Sequence, residues 1–138
     1  MDNLTKDKIQ QMIDSNPVMV FMKGTKLMPQ CGFSNNVVQI LNSLGIEFGT
    51  FDVLSDFAIR EGIKEYSDWP TIPQVYLKGE FLGGSDILIE MYNSGSLKEK
   101  IEIELSKSLD EAIGIGREAA QLALAQGADE LITASKND

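Results

Sequence analysis

Five consecutive apolar residues, Val18-Met-Val-Phe-Met22, stand between Pro17 and Gly24. A run of that length, free of polar residues and closed by chain breakers, is the pattern of a strand buried on both faces. It predicts a strand in the middle of a sheet. The remaining chain must then supply its neighbours in the sheet and cover both of its faces.

The flanking segments read as those parts. Thr5 to Ser15 carries Leu4, Ile9, Met12 and Ile13 at helical spacing, with Thr5 as the N-cap and Asn16-Pro17 as the stop. A loop from Gly24 to Cys31, punctuated by Pro29, leads into a second helix with Val37, Val38, Ile40, Leu41 and Leu44 on one face, closed by Gly45. Ile46 to Phe51 alternates as a short strand, and Ser55 caps a third helix running through Ile59 and Ile63 to Tyr66. After Trp69-Pro-Thr-Ile-Pro73, the strand Gln74 to Lys78, the turn Gly79-Glu80 and the strand Phe81-Leu82 form a β-hairpin. Gly83-Gly84 ends it, and Ser85 or Asp86 caps a helix from Ile87 to Tyr92. Gly95-Ser96 separates that helix from a last one of about ten residues. The order is a βαβ unit, then a helix and a hairpin, with helices on both faces of the sheet.

At 138 residues the chain has room for one domain and no repeat array. Its 43% hydrophobic and 24% charged residues allow a core of ordinary size. Residues 1–106 form that domain, and 107–138 read as an extension: a helix from Leu109 to Leu124, then a polar end from Ala128. Gly114-Ile-Gly116 lacks both the preceding strand and the third glycine of a dinucleotide loop.

Charge and rare residues narrow the chemistry. A net charge of −9 repels phosphate backbones and anionic lipid, so neither nucleic acid nor membrane is an expected partner. No apolar run is long enough for a membrane span or a signal core, which points to the cytoplasm or an equivalent reducing organelle matrix. One cysteine and no histidine exclude an internal disulfide, a catalytic triad and a self-contained zinc site.

Cys31 itself sits at the start of a helix, where first-turn N–H groups favour the thiolate; the alternative is a small buried hydrophobe. Lys23 follows the buried strand at the carboxyl end of the sheet, where open α/β folds bind ligands; the alternative is a solvated lysine. A cis bond before Pro73 would turn the backbone of Thr71 and Ile72 toward a peptide-like ligand, whereas a trans bond would make Pro73 an edge-strand residue. Gly83-Gly84-Ser85-Asp86 places bare amides and a carboxylate at a helix N-terminus, suited to a ligand's carboxylate and amino groups or to a simple cap.

Lys23-Gly24-Thr25, Pro29-Gln-Cys31-Gly32-Phe33-Ser34, Trp69-Pro70-Thr71-Ile72-Pro73-Gln74 and Gly83-Gly84-Ser85-Asp86 together resemble the monothiol glutaredoxins of the Cys-Gly-Phe-Ser type. The resemblance spans about residues 1–105. It implies a thioredoxin-like α/β fold, a four-stranded mixed sheet flanked by helices, with a cis Pro73; the appended C-terminal helix goes beyond the family, which does not usually extend past the helix ending near Ser106. It further implies glutathione in a groove and a 2Fe-2S cluster shared between two subunits. Carried over to this chain, Cys31 ligates iron and Lys23 contacts glutathione. Thr71 and Ile72 pair with the glutathione backbone, Ser85 and Asp86 hold its γ-glutamyl end, and Gly32, Phe33, Pro73 and Gly84 complete the site. Arg60 or Lys64 meets the glycyl carboxylate. The family often has cysteine where this chain has Ser85. The stretch from Ile113 to Ile132 faintly resembles the C-terminal helix of porphobilinogen deaminases.

A cluster needs four ligands and one chain supplies a single thiolate, so two chains and two glutathiones complete the set. The expected function is therefore a glutathione-dependent cluster carrier in iron–sulfur assembly and iron homeostasis, a homodimer when loaded and a monomer when empty. Client apoproteins and BolA-type proteins are the implied partners. The competing reading is a monothiol oxidoreductase in which Cys31 attacks glutathionylated proteins. A redox-inert interaction module is the third.

Overall fold

The structure, a computed structural model, describes residues 1–113. Helix α1 (Asn3–Ser15) leads into strand β1 (Val18–Met22), all five residues of which are buried. Helix α2 (Gly32–Ser43), strand β2 (Gly49–Asp52) and a 3-10 turn (Val53–Ser55) follow, then helix α3 (Phe57–Ser67). Strands β3 (Gln74–Leu77) and β4 (Glu80–Gly83) precede helices α4 (Ser85–Ser94) and α5 (Ser96–Ile113).

The sheet runs in the order β2-β1-β3-β4. Strand β1 pairs parallel with β2, Met19 opposite Gly49 and Met22 opposite Asp52, and antiparallel with β3, Val18 opposite Leu77. This is the mixed four-stranded sheet of a thioredoxin-like fold, with the apolar run in its interior as its composition demands. The parallel pairing brings the carboxyl ends of β1 and β2 to the same edge.

Along β1, side chains alternate between faces. Met19 and Phe21 join Ile9 and Ile13 of α1, Ile59 and Ile63 of α3, Val53, Ile72 and Tyr76 in one buried cluster. Val18, Val20 and Met22 point the other way, toward the side on which α2 and α4 pack together and bury Val37, Val38, Leu41 and Leu88. Each large apolar side chain removed from water contributes about 1.5–3 kcal/mol. Phe21 and Tyr76 meet edge to face, with ring centroids 5.7 Å apart.

Several boundaries differ from the sequence reading. Asp2, not Thr5, caps α1: its carboxylate accepts the Thr5 N–H at 2.7 Å. An aspartate there also complements the positive end of the helix dipole. Leu4 turns outward and is 66% exposed. Asp56 rather than Ser55 caps α3, accepting from the Ile59 N–H at 3.2 Å, while the Ser55 hydroxyl closes the 3-10 turn on the Asp52 carbonyl. Strand β2 starts at Gly49, later than the expected Ile46, and the Phe48 carbonyl just before it accepts from the Lys26 ammonium at 3.0 Å. Gly84 is the N-cap of α4, which leaves Ser85 and Asp86 in its first turn.

The chain divides into two units, Met1–Glu99 and Lys100–Asp138, and the first contains the whole sheet. Helix α5 runs unbroken past Ser106 to Ile113, so it is longer than the ten residues expected. In the described part of the second unit, Lys107 pairs with Glu104 at 3.3 Å. Gly114-Ile-Gly116 and the remainder of the expected extension lie outside the described residues.

Candidate functional site

Cys31 is the N-cap residue of α2, in extended conformation, and its side chain makes no capping bond to the helix. The N-cap position nonetheless sets its sulfur beside the first-turn N–H groups of Phe33 and Ser34. The backbone N–H of Ser34 is the main influence that holds the thiol below its ordinary range; partial burial opposes it, while the Phe33 N–H, the Lys23 ammonium and the Ser34 hydroxyl act with it. Donors and a cation aimed at one sulfur stabilise the thiolate over the thiol. The bland alternative of a buried hydrophobe does not hold, since Cys31 is half-buried and faces a groove.

The loop before Cys31 is tied tightly. Gly24 adopts φ +91°, and a Cβ at this position would lie 2.6 Å from the Met28 carbonyl oxygen and against the Gln30 nitrogen. Only glycine meets both demands. Thr25 and Met28 exchange backbone hydrogen bonds of 3.2 and 3.1 Å, and the Gln30 N–H donates to the Lys23 carbonyl at 2.9 Å. The Lys23 N–H donates to Ser34 Oγ at 3.1 Å, and Ser34 is fully buried. Lys26 is turned away, its ammonium over the Phe48 ring at 3.8 Å. Leu27, at the loop tip, is 93% exposed.

The opposite wall comes from the segment between α3 and β3. Asp68, in the left-handed region at φ 54°, ends α3 and sends the chain into Trp69. The Ile72–Pro73 bond is cis, as the resemblance implied. Gln74 is buried, and its side-chain amide donates to the carbonyls of Trp69 at 3.1 Å and Thr71 at 3.2 Å. Its own oxygen accepts the Tyr76 hydroxyl at 3.0 Å. Burial pushes the Tyr76 phenol well up, so it stays protonated and keeps donating.

The third side is the start of α4. Gly84 passes close beneath Pro73: a Cβ on it would stand 3.1 Å from the Pro73 carbonyl oxygen. Ser85 is buried, and its Oγ has no hydrogen-bond partner among the described residues. A buried hydroxyl is nearly always paired in a folded protein, so an orphan at a groove is a feature that a ligand would satisfy.

Lys23, Cys31, Phe33, Thr71, Ile72, Pro73, Gly84, Ser85 and Asp86 converge on one groove of about 450 Å³. They come from separate parts of the fold, yet all nine stand in the four sequence motifs. Gly32 and Arg60 are not in its wall. Gly32 is the first residue of α2, with open space around it. Arg60, one turn before Lys64, has its Nε buried, whereas Lys64 reaches the groove with its ammonium 3.1 Å from Glu61. Trp69, Pro70 and Ile87 also line it and were not singled out as site residues. Trp69 and Pro70 stand inside a quoted motif, which was the signal available; Ile87 reads only as an apolar helix position.

No three or more His, Cys, Asp or Glu side chains gather to hold a metal ion among the described residues. No described helix is long and apolar enough to cross a membrane.

A half-buried thiol held below its ordinary range at a helix start, sharing a groove with a cis proline in a thioredoxin-like fold, is the arrangement of the glutaredoxin class. The glutaredoxin family model matches residues 18–82. An uncharacterized monothiol glutaredoxin ycf64-like from Synechocystis is 68% identical, over 77% of this chain and 99% of its own length. The solution structure of reduced poplar apo GrxS14 superimposes with a TM-score of 0.67 at 50% identity, covering 73% of this chain and 93% of its own. A crystal structure of a buckwheat glutaredoxin-glutathione complex matches with a TM-score of 0.63 at 25% identity, covering 75% and 89%. This chain belongs to the glutaredoxin family and is a monothiol member of it.

Proposed function

We propose that the chain is a glutathione-dependent carrier of 2Fe-2S clusters, the cluster being cargo bridged between two copies by two Cys31 thiolates and two glutathione thiolates. The observation that carries this reading is a single thiol held below its ordinary range beside a groove that ends in a buried hydroxyl, Ser85 Oγ, with no partner among the described residues. One thiolate per chain is a quarter of a cluster's ligand set, so the other ligands come from outside the chain.

The groove suits glutathione in kind. The first-turn amides of α4 and Ser85 Oγ offer donors for a carboxylate, Asp86 offers an acceptor for an ammonium, and Lys23 and Lys64 offer cations for a second carboxylate. The buckwheat protein's complex with glutathione supports the same choice of ligand. Exposed Leu27, Met28 and Phe33, on the loop before Cys31 and just after it, supply apolar area for a second chain. Half the ligands being diffusible makes the cluster labile, which suits delivery to client apoproteins. A BolA-type protein would supply the histidine this chain lacks. A reducing compartment such as the cytoplasm keeps both thiols available.

The lowered thiol also favours a second reading. The Cys31 thiolate attacks the glutathione sulfur of a glutathionylated protein, releasing that protein's thiolate and leaving a Cys31–glutathione disulfide. A free glutathione thiolate then attacks that disulfide, frees Cys31 and departs as glutathione disulfide.

Anaerobic reconstitution with iron, sulfide and glutathione separates the two. The carrier reading expects a brown dimer with one cluster and two glutathiones per two chains, and a largely monomeric apo form. A dimer that kept its full cluster spectrum after glutathione was stripped would overturn it.

A further inference from the structure

We propose that Asp52 is a positioning residue for this groove: by fixing the Lys23–Gly24 peptide from the β2 side, its carboxylate keeps the Lys23 ammonium beside Cys31. The inference rests on the reading of Lys23 and Cys31 as partners in the groove, but not on which ligand the groove takes.

The geometry is specific. Asp52 is the last residue of β2 and pairs in register with Met22, the last of β1, so it stands beside the point where the chain leaves the sheet for Lys23. Its Oδ1 accepts the Gly24 N–H at 2.9 Å across 28 residues of sequence. The same oxygen accepts the Leu54 N–H at 2.9 Å, and the Asp52 carbonyl accepts the Ser55 hydroxyl at 2.7 Å, so Asp52 is itself held by the 3-10 turn. From the other side, Ser34 Oγ accepts the Lys23 N–H at 3.1 Å and the Lys23 carbonyl accepts the Gln30 N–H at 2.9 Å. The backbone on both sides of the Lys23 Cα is thus gripped, at the consecutive N–H groups of Lys23 and Gly24, by two side chains from different elements. An anchored backbone limits where a long flexible side chain can place its charge. Lys26, three residues on in the same loop, is engaged with Phe48, so Lys23 is the loop's cation in the groove wall. The other charged side chains in that wall are Lys64 and Asp86, and α2 itself carries none.

The test measures how strongly the surroundings of Cys31 favour an anionic reagent. Wild-type protein, Asp52→Ala and Asp52→Asn are alkylated with iodoacetate and with iodoacetamide at one pH, and the ratio of the two rates is taken. The thiolate fraction cancels in that ratio, leaving the local potential. Removing a negative charge should by itself raise the ratio, so the proposal makes a prediction of opposite sign. With the Gly24 anchor lost in Asp52→Ala, the ratio falls roughly threefold, the scale of moving one cation a few ångströms at a protein surface. Asp52→Asn keeps an oxygen acceptor and leaves the ratio level or higher. In a Lys23→Gln background, Asp52→Ala produces no further fall. A ratio in Asp52→Ala that holds or rises, a fall in Asp52→Asn, or additivity with Lys23→Gln would each overturn the proposal. If circular dichroism shows Asp52→Ala unfolded, Asp52→Ser, whose short hydroxyl can still cap the 3-10 turn, takes its place with the same expectation: a fall supports the anchor and a level or raised ratio rejects it. No glutathione or cluster enters the measurement, so a failed reconstitution leaves this result standing.

Discussion

Gln74 and Trp69 are joined by a hydrogen bond from the buried side-chain amide of Gln74 to the Trp69 carbonyl, 3.1 Å long. Through it, a polar residue inside the sheet fixes the loop that forms one wall of the groove. The same amide reaches Thr71, and its oxygen accepts from Tyr76. Replacing Gln74 with alanine would take one partner from the buried Tyr76 phenol and the shared amide donor from the Trp69 and Thr71 carbonyls. The expected loss is about 2–3 kcal/mol of folding stability, read from the urea midpoint, with weaker glutathione binding as the loop loosens. A midpoint unchanged from wild type would mean the loop is held by other contacts.

The lowered thiol of Cys31 gives a pH prediction with a definite sign. Carbamidomethylation by iodoacetamide should reach half its plateau at a lower pH than a free cysteine thiol, and should fall away as the pH drops through the folded value. The same shift stabilises the fold at pH above the unfolded thiol value, a contribution lost as pH falls through the folded one. Ser34→Ala removes one donor to the sulfur, so its half-point should move upward. A profile that overlays free cysteine would show that the helix-start amides do not act on this sulfur.

How much of this was legible in the sequence depends on the kind of contact. The run Val18–Met22 fixed the middle of the sheet because burial on both faces leaves no polar position. Cys31, Lys23 and Pro73 were legible because each sits at a chain breaker or an element end, where backbone geometry dictates the role. Arg60 against Lys64 was not: both lie on α3 one turn apart, and only packing decides which reaches the groove. Asp2 and Asp56 were missed as caps because each stands near a serine or threonine that fits the same rule. Gln74 reads in sequence as an ordinary polar strand residue, and its role appears only when three partners fold around it.

Cys31→Ser should separate chemistry from stability. Serine is close in shape, and the site is half-buried, so the melting transition should move little. Thiol alkylation and cluster assembly should both vanish. A large fall in melting temperature would instead identify Cys31 as a packing residue.

Ser85→Ala tests the groove from its other end, and two measurements should move in opposite directions. In the ligand-free protein the Ser85 hydroxyl is buried with no partner among the described residues, so removing it relieves an unmet hydrogen-bonding group. Apo stability should rise, by about 1 kcal/mol, or hold level. If the hydroxyl binds the γ-glutamyl end of glutathione, its loss should weaken that affinity by about tenfold, the worth of one good hydrogen bond to a charged group. Calorimetric titration with glutathione and a urea melt, on the same preparation, give both numbers. Stability that falls together with affinity would mark Ser85 as a structural residue of α4, and unchanged affinity would remove it from the ligand's contacts.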